Sequence, residues 1–129
     1  MGNETIDYYQ IKPLEGIYLE DSYVLGLVIG LEKTVISLEL VLDETHPEYR
    51  EPLQGEQYCY RKGKIIFYDY SGVNLSNIRS VASLDASGER DFGNIDYLRM
   101  TGKDFDVGGE WGDLRIRKGI LELELDSTS

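Results

Sequence analysis

The chain has 129 residues, 41% of them apolar and 29% charged, a formal net charge of -11, one cysteine and one histidine. That length suits one domain burying roughly two-thirds of the surface its unfolded form exposes, and the composition excludes disordered and membrane-type chains. The lone Cys59 excludes an intrachain disulfide, and the negative field repels nucleic acid phosphates and anionic membranes, so a basic partner is favoured.

The first ten residues, MGNETIDYYQ, are acidic and polar with no apolar leader-like run, which makes a cytoplasmic protein the expectation. Residues 1–13 read as an N-terminal arm, either irregular or holding a helical turn capped by Asn3. From position 16 to 125, apolar residues then alternate at period two, with turn residues at short intervals. EGIYLE predicts a strand around Tyr18. YVLGLVIGLEKTVISLELVLD predicts a hairpin turning at Glu32-Lys33, with Tyr23 facing Leu42, Leu27 facing Leu38 and Ile29 facing Ile36 on one apolar face. That turn lacks the glycine that tight hairpins favour, so a longer loop and a shifted register stay open.

Residues 45–56 have the proline, glycine and polar density of a connecting loop. A second hairpin is predicted at YCYRKGKIIFY, turning at Lys62-Gly63 and setting Tyr58 against Phe67 and Tyr60 against Ile65 toward the core. NIRSVAS predicts a short strand, SLDASGERDFGN a polar loop, and IDYLRMT and DFDVGGEW two more strands, the last with Phe105, Val107 and Trp111 on one side. DLRIRKGILELEL completes the series as a third hairpin turning at Lys118-Gly119. It sets Ile116 against Leu121, Leu114 against Leu123 and Arg115 beside Glu122. Roughly eight to ten strands in one domain predict an all-β antiparallel sandwich or a closed barrel, because a single open sheet would leave its apolar face in water.

Catalytic, cofactor and metal sites are not expected. His46 lies on a predicted loop and Cys59 within a predicted strand, with no motif that makes them a base and a nucleophile. One histidine and one cysteine cannot supply the usual zinc ligands, and DASGERD lacks the twelve-residue order of a calcium loop. Ten tyrosines stand out instead. Tyrosine joins an apolar ring to a polar tip and is enriched at interfaces. The candidate contact residues are Tyr49, Tyr68, Tyr70 and Tyr97, together with His46 on its loop and Trp111, which is read either as core filler or as a binding hot spot.

Two segments, HPEYREPLQGEQYCYRKGKIIF and GGEWGDLRIRKGILELEL, resemble a family of small uncharacterised bacterial proteins with an HPxY…GExxCYRxGxxxF segment and a C-terminal GxWG hairpin. The resemblance implies a single-domain, cytoplasmic bacterial protein and carries no activity with it. By type, small acidic standalone domains are similar to immunity proteins, which neutralise toxins. The functional expectation is therefore a non-enzymatic module that binds a basic protein, including an immunity-type inhibitor of a basic toxin. The competing reading is a carrier that holds a small apolar ligand in a barrel mouth or sheet cleft, and an enzyme using carboxylate chemistry stands third.

Overall fold

The computed structural model describes residues 4–78, 83–84 and 90–127. Its strands are β1 (Thr5–Asp7), β2 (Ile17–Ile29), β3 (Lys33–Leu42), β4 (Cys59–Tyr68), β5 (Gly72–Ser76), β6 (Ser83–Leu84), β7 (Arg90–Asp91), β8 (Tyr97–Thr101), β9 (Asp104–Gly109), β10 (Gly112–Arg117) and β11 (Ile120–Leu125). They form a five-stranded sheet in the order β1-β8-β9-β10-β5, a four-stranded sheet in the order β11-β4-β3-β2, and the small pair β6-β7. Every pairing of these strands is antiparallel. The expected all-β fold is a two-sheet sandwich rather than a closed barrel.

Its core is the interface between the sheets. Every second residue of β3 points inward, so Thr34, Ile36, Leu38, Leu40 and Leu42 are all buried. Ile65 and Phe67 of β4 join them, and Phe105, Val107, Leu114 and Ile116 close the core from the other sheet. Phe67 and Phe105 meet across the gap with ring centroids 5.2 Å apart. Two 3-10 turns, Tyr8–Gln10 and Lys12–Leu14, insert Tyr8, Ile11 and Leu14 into the same cluster. The predicted arm is thus one short edge strand followed by two turns; Asn3 lies outside the described residues.

The three predicted hairpins fare differently. The first exists in a shifted register, with Ile29 opposite Thr34 and Leu27 opposite Ile36, closed by a Gly30–Lys33 turn in which the Gly30 N–H donates to the Lys33 carbonyl. Two further shifts follow, between Val24 and Gly26 and between Tyr18 and Tyr23. At the second, buried Ser22 replaces the missing ladder bonds: its Oγ accepts from the Val41 N–H at 3.0 Å and donates to the Tyr18 carbonyl at 2.7 Å. The bulge between Val24 and Gly26 changes the face of the residues before it, whereas Leu27 and Ile29 keep the inward parity of their partners Ile36 and Thr34. Val24, Leu19 and Ile17 point inward and Tyr23 outward, while Ile29 and Leu31 are exposed because they lie at the turn end of the pair.

The second hairpin does not form. Lys62-Gly63 lies inside β4, which runs unbroken between β3 and β11, with Gly63 opposite Leu38 on one side and Leu125 on the other. A Cβ at Gly63 would fall 2.7 Å from the Glu124 carbonyl oxygen and 3.0 Å from Leu40 Cδ1. The glycine marks a close approach rather than a turn. Without a reversal the parity of the strand never flips, so Cys59 faces the core, and Tyr58 and Tyr60, expected there, stand on the other face. In the third case the turn is real but the hairpin is not. Lys118-Gly119 carries the chain from β10 in one sheet to β11 in the other, so Leu114 and Ile116 pair with β9 and β5, while Leu121 and Leu123 pair with β4. Arg115 consequently meets Asp106 of β9, Nε to Oδ1 2.8 Å, rather than Glu122.

IDYLRMT and DFDVGGEW form β8 and β9, and Trp111 sits in the tight β9–β10 turn. Of the predicted NIRSVAS strand, residues 79–82 lie outside the described residues, as do residues 85–89 of the polar loop. The end of that loop docks onto the β2 edge: Phe92 N–H donates to the Val24 carbonyl and Val24 N–H to the Gly93 carbonyl.

Candidate binding surface

The outer face of the four-stranded sheet is built by the even-numbered residues of β4 and their neighbours. The register sets Tyr18 beside Val41 and Val41 beside Tyr60, and in the next row Tyr23 beside Glu39 and Glu39 beside Lys62. Tyr58 and Tyr60 meet edge to face, with centroids 6.1 Å apart. The Ser22 bulge turns the preceding residue, Asp21, toward this cluster. At its edge lies a groove of about 360 Å³ lined by Tyr18, Tyr49 and Tyr58 together with Asp21, Asp43 and Glu44. Tyr18 is 51% exposed although its neighbour Val41 is buried beneath the rings.

The electrostatics of the groove have one sign. Burial raises the Tyr49 phenol above its ordinary pKa, and the charges of Glu51 and Glu44 raise it further. Tyr60 is raised in the same direction, by burial first and then by Tyr23, Glu39, Tyr58 and Asp21. The lining holds three carboxylates and no lysine or arginine. Aromatic faces beside carboxylates are the surroundings that a lysine or arginine side chain prefers, through cation–π attraction and charge-assisted hydrogen bonds together.

The six predicted contact residues are not brought together. His46 serves its loop: its Nδ1 accepts from the Glu48 N–H at 3.0 Å, its N–H donates to the Asp43 carbonyl, and its Cβ would lie 2.8 Å from a Cβ at Gly16. That turn delivers Tyr49 to the groove, since the Tyr49 N–H donates to the His46 carbonyl at 3.0 Å. Tyr68 lies farther along β4 and donates to Glu122 at 3.0 Å. Tyr70 ties down the β2–β3 turn through the Gly30 carbonyl and Thr34. Trp111 is 6% exposed, its Nε1 without a hydrogen-bond partner among the described residues.

Tyr97 stands on the outer face of the five-stranded sheet, its hydroxyl donating to Asp113 and the Arg99 guanidinium 4.7 Å over its ring. Of the predicted set only Tyr49 lines the tyrosine groove. Tyr58 and Tyr60 fall outside that set because the predicted turn at Lys62-Gly63 assigns them to the core, and Tyr23 because the predicted register sets it on the apolar face opposite Leu42; Tyr18 is missed as well. Among the described residues, no group of three or more His, Cys, Asp or Glu side chains converges as metal ligands do. No helix of the described residues is long and apolar enough to cross a membrane.

Two other tyrosines report on the fold. Burial, then the hydrogen bond to Asp113, pushes Tyr97 up to about 12. Tyr8, which donates to Glu20, is raised still further, again by burial first. An unfolded phenol ionises near 10, so both contributions to stability are intact below about pH 10 and are lost as pH rises through the folded values. The denaturant midpoint is therefore expected to stay level from about pH 8 to 9.5 and to fall above about pH 10, and Tyr97→Phe makes that fall shallower. A midpoint that stays level up to about pH 11.5 contradicts this.

No family model matches the chain, and neither a curated protein nor a solved structure does.

Proposed function

We propose that the chain is a binding module whose tyrosine-lined, acidic groove on the four-stranded sheet receives lysine or arginine side chains of a basic protein. The observation that carries this reading is the composition of the groove: Tyr18, Tyr49 and Tyr58 share it with Asp21, Asp43 and Glu44, and no cation of the lining neutralises them. A net charge of -11 steers a basic partner toward the chain. Large, stiff tyrosine rings then provide contact area at low entropic cost. An immunity-type inhibitor of a basic toxin is the specific form of this reading. A filled interior favours a protein partner over an apolar ligand held between the sheets, since Ile36, Leu38, Ile65, Phe67, Val107 and Leu114 occupy that space with 1% exposure or less.

The test compares affinity capture from the source organism on the wild-type chain and on a Tyr18→Ala/Tyr58→Ala variant. A basic protein retained by the wild type, released on raising the salt concentration, and bound about tenfold more weakly by the variant is the expected result. Identical eluates from the two columns, or retention indifferent to salt, would remove the groove as the site.

A further inference from the structure

A second groove lies at the other end of β4, on the order of 30 Å from the first by strand length. It is a cavity of about 490 Å³ between the 3-10 turns, the β8–β9 turn and the start of β11. Its floor is apolar, made by Ile11, Phe105 and Leu121 with Met100 and Ile120. Its rim carries Lys12, Lys103 and Lys118, with Asp69 the one acid in the lining. This reverses the character of the molecule, whose acids outnumber its bases 24 to 13.

None of the three lysines has a carboxylate within salt-bridge distance among the described residues; the same holds for Lys33, Lys62 and Arg117, whereas Lys64, Arg50, Arg61, Arg99 and Arg115 each have one. Lys118 also holds a conformation that lysine rarely adopts, φ 55°, where glycine or asparagine is the ordinary choice. Asp104 holds it there by accepting from its N–H at 3.0 Å, and Gly119 follows with its N–H on the Lys103 carbonyl. A strained position that keeps a cation at the mouth of an apolar groove points to use of that cation.

We infer that this groove binds a small amphiphile: an apolar chain on the floor, ending in a carboxylate held by the ammonium groups of Lys12, Lys103 and Lys118. The charges of the rim and of such a head group are complementary. The volume falls within the range of small-molecule sites, roughly 300–1,000 Å³. A free molecule is favoured over a bilayer, because the acidic remainder of the surface is repelled by anionic lipid. The site is independent of the tyrosine groove and of the partner proposed for it.

Decanoate, used below its micellisation concentration, is the probe, with titration calorimetry as the readout and amide shift mapping to locate it. Saturable one-to-one binding is expected, with decan-1-ol and decyltrimethylammonium both weaker. Each of Lys12→Gln, Lys103→Gln and Lys118→Gln weakens decanoate about two- to fivefold, and the triple variant about tenfold or more. Ile120→Asp, at a side chain already 46% exposed and so tolerated by the fold, abolishes binding by placing a like charge in the groove. Tyr58→Ala leaves the affinity unchanged, which separates this site from the tyrosine groove. Absence of saturation, equal affinity for decan-1-ol, a triple variant that binds as the wild type does, or a glutamate-rich peptide binding these lysines more tightly than decanoate would each overturn the assignment.

Discussion

Phe67→Ala is expected to lower the unfolding free energy by about 3–5 kcal/mol, because it empties the site of a large aromatic side chain that has no exposed surface. Phe67 sits on the strand flanked by β3 and β11, opposite Thr34 and Leu121 in the ladder, and crosses the sandwich to meet Phe105. Removing the ring forfeits both its transfer free energy and an aromatic contact between the sheets. The cavity cannot collapse easily, because its walls belong to two separately hydrogen-bonded sheets. Phe67→Leu refills much of the volume and is expected to cost about 1–2 kcal/mol. Denaturant unfolding measures both, and a Phe67→Ala protein within about 1 kcal/mol of wild type contradicts a core shared by the two sheets.

The all-β class and much of this core can be read from period-two alternation alone. In β3 the reading holds at each inward position from Thr34 to Leu42, since the shift of its partner by two residues keeps the face, and a shift by one would turn the buried row to solvent. In β2 it fails at Ser22 and again between Val24 and Gly26, where bulges move the alternation from one face to the other. A serine in an alternating run gives no local sign that its hydroxyl replaces a ladder bond. The two Lys-Gly pairs show a different limit. Glycine serves tight turns and close backbone approach alike, and only the neighbouring strand tells Gly63 from Gly119. At Lys118-Gly119 the local chemistry does indicate a reversal, but it cannot say which strands pair afterwards.

The same ambiguity conceals the tyrosine groove. Reading 59–68 as one strand puts Tyr58 and Tyr60 outward together with Tyr68, and the cluster follows from parity. Tyr49 is legible because its loop is polar and short of apolar anchors. Tyr70 and Trp111 are not separable by sequence from contact residues, since their roles in a turn clamp and a hairpin corner depend on strands far away in the chain. The lysine groove leaves no motif at all, because Lys12, Lys103 and Lys118 come from three turns that only the completed sandwich brings to one place.

Gly63→Val is expected to destabilise the chain by about 2–3 kcal/mol and to do so locally, by loosening β11. The nearest obstacle to a new Cβ is the backbone carbonyl of Glu124 at 2.7 Å, and Leu40 blocks the opposite direction at 3.0 Å. A backbone atom cannot rotate away as a side chain can, so the strand itself has to move. Among the described residues, β11 is the edge strand of its sheet and pairs only with β4. Its end is held just there, by Asp126 N–H on the Lys62 carbonyl at 2.9 Å and by Arg61 Nε and Nη2 on the Asp126 carbonyl at 3.0 and 2.7 Å. Displacing Glu124 therefore strains several bonds at once. Amide exchange is expected to speed up at Glu124 and Asp126, whose N–H groups face β4 in this register, before it changes in β2 or β9, as local opening of an edge predicts. Gly26→Ala is the control, because a Cβ there meets nothing within 4 Å; its effect should stay within about 1 kcal/mol of neutral. Equal losses at the two glycines would mean that strand entropy, not the approach of β11, explains why Gly63 interrupts an otherwise side-chain-bearing strand.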